Sequence, residues 1–232
     1  MTSHDANTEG TSMRIGILGT GSMATALGGA WVRAGHQVLV GGRNAEAAAT
    51  TAARIGSAGG SLAEAAAWGE AVLMAVPVDI APGLARELAP VLAGRTVLDC
   101  TVPMASGPDG PVLTTAGGMD SVAARIAAAA PDAAVAKVFG ICHESIWTLP
   151  RPVFEGAPLA VPFCAGNPAA EALTEELITS MGCSPLPCGG LSRAGLLEAA
   201  AVLAIGMWWS GGEARHCLPS PALAPGAVDD EP

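Results

Sequence analysis

The chain has 232 residues, half of them apolar, and its 21 acidic and 11 basic residues leave a formal net charge of −10. That length supplies one substantial α/β domain with a smaller addition, and the apolar share supplies a large core. So few cations, in no basic stripe, exclude a nucleic-acid-binding protein and disfavour attraction to anionic membranes. The absence of tyrosine excludes every mechanism that uses a Tyr acid.

Six cysteines (100, 142, 164, 183, 188 and 217) show no CxxC and no zinc-type spacing. They are expected to be buried small hydrophobes in a reducing cytosol, with no metal site. Residues 1–12 are polar without an apolar signal core and are expected to be a disordered leader.

The run 13–19 predicts a strand leading into Gly19-x-Gly21-x-x-Ala24, and Met23, Leu27, Trp31 and Ala34 stand at helical spacing behind it. This is the opening of a dinucleotide-binding βαβ unit. Gly19 permits the tight turn, Gly21 lets the backbone approach a pyrophosphate, and Ala24 packs the helix closely on the strand. The helix N-terminus offers free N–H groups and a partial positive charge to phosphates. A second strand, 37–41, leads to Gly42-Arg43-Asn44. No acid stands there to bind a ribose 2′-hydroxyl. Arg43 lies about 20 residues past the glycine turn, where an arginine accepts a 2′-phosphate, so NADP(H) is expected over NAD(H).

Residues 43–55 predict a helix, 56–60 a loop, and Ser61-Leu-Ala-Glu64 a capping box. Ala71 to Pro77 read as a buried parallel strand, 80–92 as a helix and 95–99 as the next strand. A long Gly/Pro/Ser/Thr-rich loop, 101–118, is expected to be functional. A helix at 120–130, a strand at 133–139, a short helix at 141–149 and a strand at 159–164 follow. A helix at 168–181 capped by Asn167 and a short strand at 184–187 come next. The alternation specifies a Rossmann-type, doubly wound parallel α/β sheet.

The expected organisation is a dinucleotide-binding domain over 13–140 and a small C-terminal α/β domain over 141–209 that closes the second site and dimerises. A flexible tail is expected over 210–232. The last helix, about 192–209, is apolar on nearly every side with one charge, Glu198. It must be covered all round, inside the fold or against another subunit, and a homodimer is favoured. The longest apolar stretch, near Ala199–Trp209, follows Glu198 and is expected to be too short to span a bilayer, which gives a soluble, cytoplasmic protein.

Five segments resemble the NADPH-dependent reductases of deazaflavin coenzyme F420, the F420:NADP oxidoreductases. They are Met13-Arg-Ile-Gly-Ile-Leu-Gly-Thr-Gly-Ser-Met, Val38-Leu-Val-Gly-Gly-Arg43 and Val72-Leu-Met-Ala-Val-Pro-Val78, with Val97-Leu-Asp-Cys-Thr-Val-Pro103 and Cys188-Gly-Gly-Leu-Ser-Arg-Ala-Gly-Leu-Leu-Glu198. The resemblance implies NADP(H) and, as second cofactor, F420. It assigns Gly19, Thr20, Gly21, Ser22 and Met23 to the pyrophosphate turn, and Gly42 and Arg43 to the 2′-phosphate clamp. Val76 and Pro77 line the adenosine and nicotinamide-ribose side. Gly140, Cys142 and Glu144 fall in the stretch bordering nicotinamide and deazaflavin, and Leu191 and Ser192 help close the second site. Two departures stand out: Gly42 replaces the family's usual Ser, and Gly140 its His or Asn. The neighbouring Cys142-His143-Glu144 is also unlike the family's apolar, proline-containing sequence.

In the F420 reading hydride passes directly, with no covalent side-chain work, and the acidic tail of F420 calls for cations; Lys137, Arg151 and Arg193 are the candidates. A second reading is an NADPH-dependent reductase of a small imine, enone or ketone, with His143 as the catalytic proton donor beside Glu144. A third is a nucleotide-sensing module without chemistry. Pyrroline-carboxylate reductases share the opening, but their longer helical dimerisation domain does not fit after Phe139.

Overall fold

The computed structural model of the protein describes residues 12–212, so most of the expected leader and tail lies outside the described residues. Ser12 opens the described chain, its hydroxyl donating to the Gly35 carbonyl at 2.9 Å.

The first half alternates as its apolar pattern requires. β1 (Arg14–Leu18), α1 (Ser22–Arg33), β2 (Gln37–Gly41) and α2 (Ala45–Ile55) are followed by β3 (Ala58–Gly60), α3 (Leu62–Trp68) and β4 (Ala71–Met74). Side chains hold the helix starts. Asn44 Oδ1 accepts the Ala47 amide at 3.0 Å, and Ser61 and Glu64 form the expected capping box. β3 is a three-residue edge strand where a loop was expected.

Next come α4 (Ala81–Glu87), α5 (Ala89–Leu92) and β5 (Thr96–Asp99). The single helix expected over 80–92 is broken at Leu88, because Pro90 has no N–H to give the preceding turn. The expected loop 101–118 also differs: it contains an antiparallel hairpin, β6 (Met104–Gly107) with β7 (Gly110–Leu113). Pro108-Asp109-Gly110 is a turn sequence, and Gly110 takes φ +122° there. α6 (Val122–Ala129) and β8 (Ala134–Lys137) complete the parallel part.

Beyond β8 a 3₁₀ turn (Glu144–Thr148) and a small hairpin, β9 (Val153–Phe154) with β10 (Ala157–Pro158), lead to β11 (Ala160–Ala165). α7 (Pro168–Ser180), β12 (Ser184–Gly190), a 3₁₀ turn (Leu191–Arg193) and α8 (Ala194–Trp209) end the described chain.

The main sheet has the order β12-β11-β8-β5-β4-β1-β2-β3. All pairings from β8 to β3 are parallel, β11 is antiparallel to β8, and β12 is parallel to β11. The strand order reverses between β1 and β4, which makes a crevice beyond their carboxyl ends, as in Rossmann-type folds. The segment 141–209 thus adds two strands to the same sheet. One face of the sheet packs Ile15, Ile17, Val38, Leu73 and Leu98 against Leu27 and Trp31 of α1 and Leu177 of α7. The other packs Leu18, Val72, Met74 and Val97 against Ala65, Leu84, Ile126 and Ala194.

α8 is not covered all round by the described residues. Glu198, Ala201 and Val202 are buried, but Leu196, Leu203 and Trp209 are more than half exposed. The expectation about length also needs correction. The 19 residues Leu191–Trp209, with an 18-residue window of mean hydropathy 1.4, are long and apolar enough to cross a membrane by length and composition alone.

Close backbone approach sets where the first helices sit. A Cβ on Gly16 of β1 would fall 2.1 Å from the Ala65 carbonyl oxygen of α3, whereas one on Gly83 of α4 would meet nothing within 4 Å. Gly16→Ala is expected to cost about 3 kcal/mol or more, and Gly83→Ala to add about 0.5–1 kcal/mol through helix propensity. Urea unfolding of the two variants checks both signs.

Candidate functional site: the crevice at the carboxyl ends of β1 and β4

The turn after β1 is held from both sides by backbone. The Gly19 amide donates to the Gly41 carbonyl at 2.9 Å. Gly19 takes φ +131°, and a Cβ there would lie 2.1 Å from the Ala75 carbonyl oxygen. Only glycine fits this wedge between the ends of β2 and β4.

Gly21 then caps α1 without any side-chain hydrogen bond to the first turn. Nothing lies within 4 Å of where its Cβ would be. The first amides of α1 are therefore free of a capping side chain, beneath open space, which is the arrangement an anion needs. Thr20 is fixed by the Thr51 hydroxyl on its carbonyl at 3.2 Å. Ser22 is exposed, and Met23 packs partly buried against the core.

At the end of β2, Arg43 is exposed and makes no hydrogen bond or ion pair with another described residue. Its neighbour Gly42 sits where a Cβ would meet Thr20 Cγ2 at 2.9 Å and Ala48 Cβ at 3.2 Å. The departure from serine thus goes with a tight fit between the phosphate turn and α2. Val76 and Pro77 follow β4, half-buried and exposed respectively, on the crevice side.

A groove of about 720 Å³ begins at Thr20, Gly21 and Ser22 and runs along α1. Its walls include Arg33, Arg54, Glu144 and Ser145. The structure therefore places Glu144 on the wall of this groove, in a 3₁₀ turn whose Trp147 carbonyl accepts Arg33 of the last turn of α1 at 3.0 Å. The stretch that carries Glu144 leaves β8 through Phe139, which takes φ +67°. Phe139 is held edge-on between Trp31 and Trp147, with centroid distances of 5.7 and 5.2 Å. Gly140 sits against Val102, 3.4 Å from its hypothetical Cβ to Cγ2. His143 is exposed, its Nε2 3.4 Å from Glu144 Oε2. Its Nδ1 accepts the Ser145 amide at 3.3 Å and so caps the 3₁₀ turn. Cys142 is half-buried, and burial, with a contribution from Cys183, pushes its thiol up to about 11.

Leu191 and Ser192 are not brought to this rim. Gly190 pairs with Ala165, which pairs with Ala136, so they lie below the row of Leu18, Met74, Asp99 and Lys137 that ends at the crevice. Leu191 is half-buried against the core and Ser192 is exposed. Arg151 and Arg193 are exposed. Lys137 is corrected as a candidate for an acidic tail: it is 2% exposed and fully engaged.

The engagement of Lys137 is the feature the sequence reading missed. Its Nζ lies 2.8 Å from Asp99 Oδ2 and 3.0 Å from Glu198 Oε1, and it also donates to the Thr101 carbonyl. Glu198 Oε1 accepts the Val122 amide at 2.9 Å, while its Oε2 is buried without a partner. Burial works against the Lys137 charge, but the two carboxylates outweigh it and raise its pKa. Burial raises that of Glu198 against the pull of Lys137. The signal was present: lone charges at 99, 137 and 198 stand inside otherwise apolar strands and a helix.

Residues 14–103 match the family model described as NADP oxidoreductase, coenzyme F420-dependent. That segment contains the whole turn, the Arg43 position and the Val76-Pro77 segment. The match spans less than half of the chain, and what it shares with the structure is the Rossmann-type sheet and its first turns. Among solved structures, one from Arthrobacter sp. FB24, provisionally assigned as an F420-dependent NADP-reductase, is similar at 24% identity and TM-score 0.76. The match covers 87% of this chain and 96% of that one. An imine reductase from Aspergillus terreus in complex with NADPH4 and dibenz[c,e]azepine is similar at 19% identity and TM-score 0.58, over 87% of this chain and 64% of that one. The 3-hydroxyisobutyrate dehydrogenase of Mycobacterium tuberculosis is similar at 17% identity and TM-score 0.60, over 81% and 58%. These likenesses establish the fold. No curated protein matches the chain.

Lys137→Met, which leaves two buried carboxylates unpaired, is expected to cost about 3–5 kcal/mol of stability. Glu198 yields a pH test. Its pKa is raised in the folded chain, so its stabilising contribution is complete below the ordinary 4.5 and is lost as pH rises through the folded value. Glu198→Gln removes that decline. Urea unfolding at about pH 5 and about pH 8 should show the native chain losing stability relative to the variant over the interval; parallel behaviour of the two would count against the assignment.

Proposed function

We propose that the protein is an NADP(H)-dependent oxidoreductase that transfers hydride between NADPH and coenzyme F420. The observation that carries the first half is the uncapped start of α1 under the open space at Gly21, with the unpaired Arg43 at the end of β2. In this reading residues 13–140 hold the dinucleotide. The amides of the turn Gly19–Met23 take the pyrophosphate, Arg43 takes the 2′-phosphate, and Val76, Pro77 and Glu144 border the rest. NADPH supplies the hydride. The chain contributes position and exclusion of water, through the walls around Gly140 and Cys142 and the segment 141–209. The family match over residues 14–103 supports both cofactors.

The second reading, reduction of a small imine, enone or ketone, is favoured by His143. This exposed imidazole adjoins Glu144, which lines the groove, and a proton donor is what such an acceptor needs. Mixing the protein with NADPH and oxidised F420 while following deazaflavin absorbance separates the readings. Reduction at enzymatic rates that survives His143→Ala supports the first. NADPH consumption with a cyclic imine, lost in His143→Ala, supports the second.

We also infer a homodimer, in the cytoplasm, with the exposed Leu196, Leu203 and Trp209 of α8 against a second copy. Sedimentation that finds a stable monomer at micromolar concentration would remove it.

Arg43→Ala is expected to weaken NADPH binding roughly tenfold to a hundredfold, the worth of a charge-assisted contact, and to leave NADH binding nearly unchanged. Calorimetry with both coenzymes checks this, and equal losses would count against the 2′-phosphate role.

A further inference from the structure

Two cysteines face each other across the outer strands of the sheet. β11 and β12 run parallel, with Phe163 opposite Pro187 and Ala165 opposite Gly190. The register shifts between these pairs, so the single residue Cys164 stands against Cys188 and Gly189. Neighbouring strands lie about 4.8 Å apart, inside the roughly 4.4–6.8 Å between Cα atoms that a disulfide spans.

The side chains share a face. Cys164 is fully buried in the cluster containing Leu18, Met74 and Ala194, and Cys188 packs against that same cluster. Cys188 is only half-buried, its thiol donating to the Leu186 carbonyl at 3.4 Å. Beside it Gly189 takes φ +98°, and β12 is the last strand of the sheet, so the chain there can adjust by the small amount a bridge needs. Burial pushes the Cys164 thiol up to about 11, with Cys188 adding to the rise and Arg193 opposing it.

We propose that Cys164 and Cys188 are a reversible dithiol–disulfide site that responds to hydroperoxides. Cys188, the accessible member, reacts first. Its sulfur takes an oxygen from the hydroperoxide, whose O–O bond breaks and whose remainder leaves as water or an alcohol. Cys164 then loses its proton and attacks the Cys188 sulfur. The S–S bond forms, the S–O bond breaks, and the oxygen leaves as water. In sum two thiols give up two electrons and two protons, and the peroxide is reduced. A small dithiol returns both electrons and both protons. The bridge ties the edge strand β12 to β11 immediately before the turn Leu191–Arg193. It does not depend on which acceptor the enzyme reduces.

The test treats the full-length protein with hydrogen peroxide, blocks remaining thiols, and cleaves with a glutamyl endopeptidase. Cuts after Glu171, Glu175 and Glu176 separate the two cysteines. The expected result is a crosslinked peptide pair, two hydrogens lighter than its parts and dissolved by dithiothreitol. Tandem spectra should place the bridge at Cys164 and Cys188. In Cys188→Ser, a near-isosteric change at a half-exposed position, the crosslink should vanish. A bridge to Cys142, Cys183 or Cys217, oxygen adducts without a bridge, or a crosslink that persists in Cys188→Ser would overturn the proposal. The wild-type spectra decide the pairing even if the variant folds poorly.

Discussion

One buried ammonium fixes how the C-terminal third sits on the parallel part of the sheet. Lys137 closes β8, Asp99 closes the adjacent β5, and Glu198 comes from α8. Such a cluster is costly to desolvate, and its net worth against apolar replacements can be near zero. Its value lies in selection. α8 is otherwise apolar on nearly every side and could rotate or slide with little change in hydrophobic burial. Only the rotation that brings Glu198 to Lys137 avoids an unpaired buried charge. The same carboxylate accepts the Val122 amide at the start of α6. One arrangement thereby sets α6, α8, β5 and β8, and with them the wall behind Gly140.

The phosphate turn rests on a different constraint, the approach of backbone to backbone. Gly16 lies against the Ala65 carbonyl, Gly19 against Ala75, and Gly42 against Thr20 and Ala48. With aromatics at 3% of the chain, the core is filled by Ala, Val, Leu and Ile. Elements can approach closely because so many contact residues are small. The large side chains are used sparingly. Trp31, Phe139 and Trp147 form one edge-to-face row, and that row stabilises the left-handed Phe139 that turns the chain from β8 toward Glu144. A strained residue is affordable there because packing on both sides over-determines it.

The parallel sheet was legible because its signals are local: apolar runs of strand length, helical spacing behind Gly21, and capping residues at Ser61 and Asn167. The positions of Gly19 and Gly21 in the turn after β1, and of Arg43 just past β2, were legible as well, since both places are fixed by short segments of sequence. What stayed hidden depended on long-range pairing. The hairpin β6–β7 has no alternating apolar pattern and looked like loop, although Pro108-Asp109-Gly110 marked its turn. The placement of Leu191 and Ser192 follows from β11 running antiparallel to β8, which no local pattern announces. The cluster at Lys137 joins residues 99, 137 and 198, and a lysine within an apolar strand shows its meaning only beside its partners.

Electrostatics adds a last constraint. A chain of net charge −10 repels a polyanionic dinucleotide at long range, so binding must come from donors that act within a Debye length. Oriented amides at a helix start suit this, because their partial charges need no counter-ion and are not cancelled by distant carboxylates. Along the groove that leaves the turn, Arg33 and Arg54 stand against the single acid Glu144, so the local balance is opposite to the global one. The overall charge is acidic, while the groove that begins at the turn carries two arginines against one acid. That separation of scales is how an acidic protein offers a site to an anion.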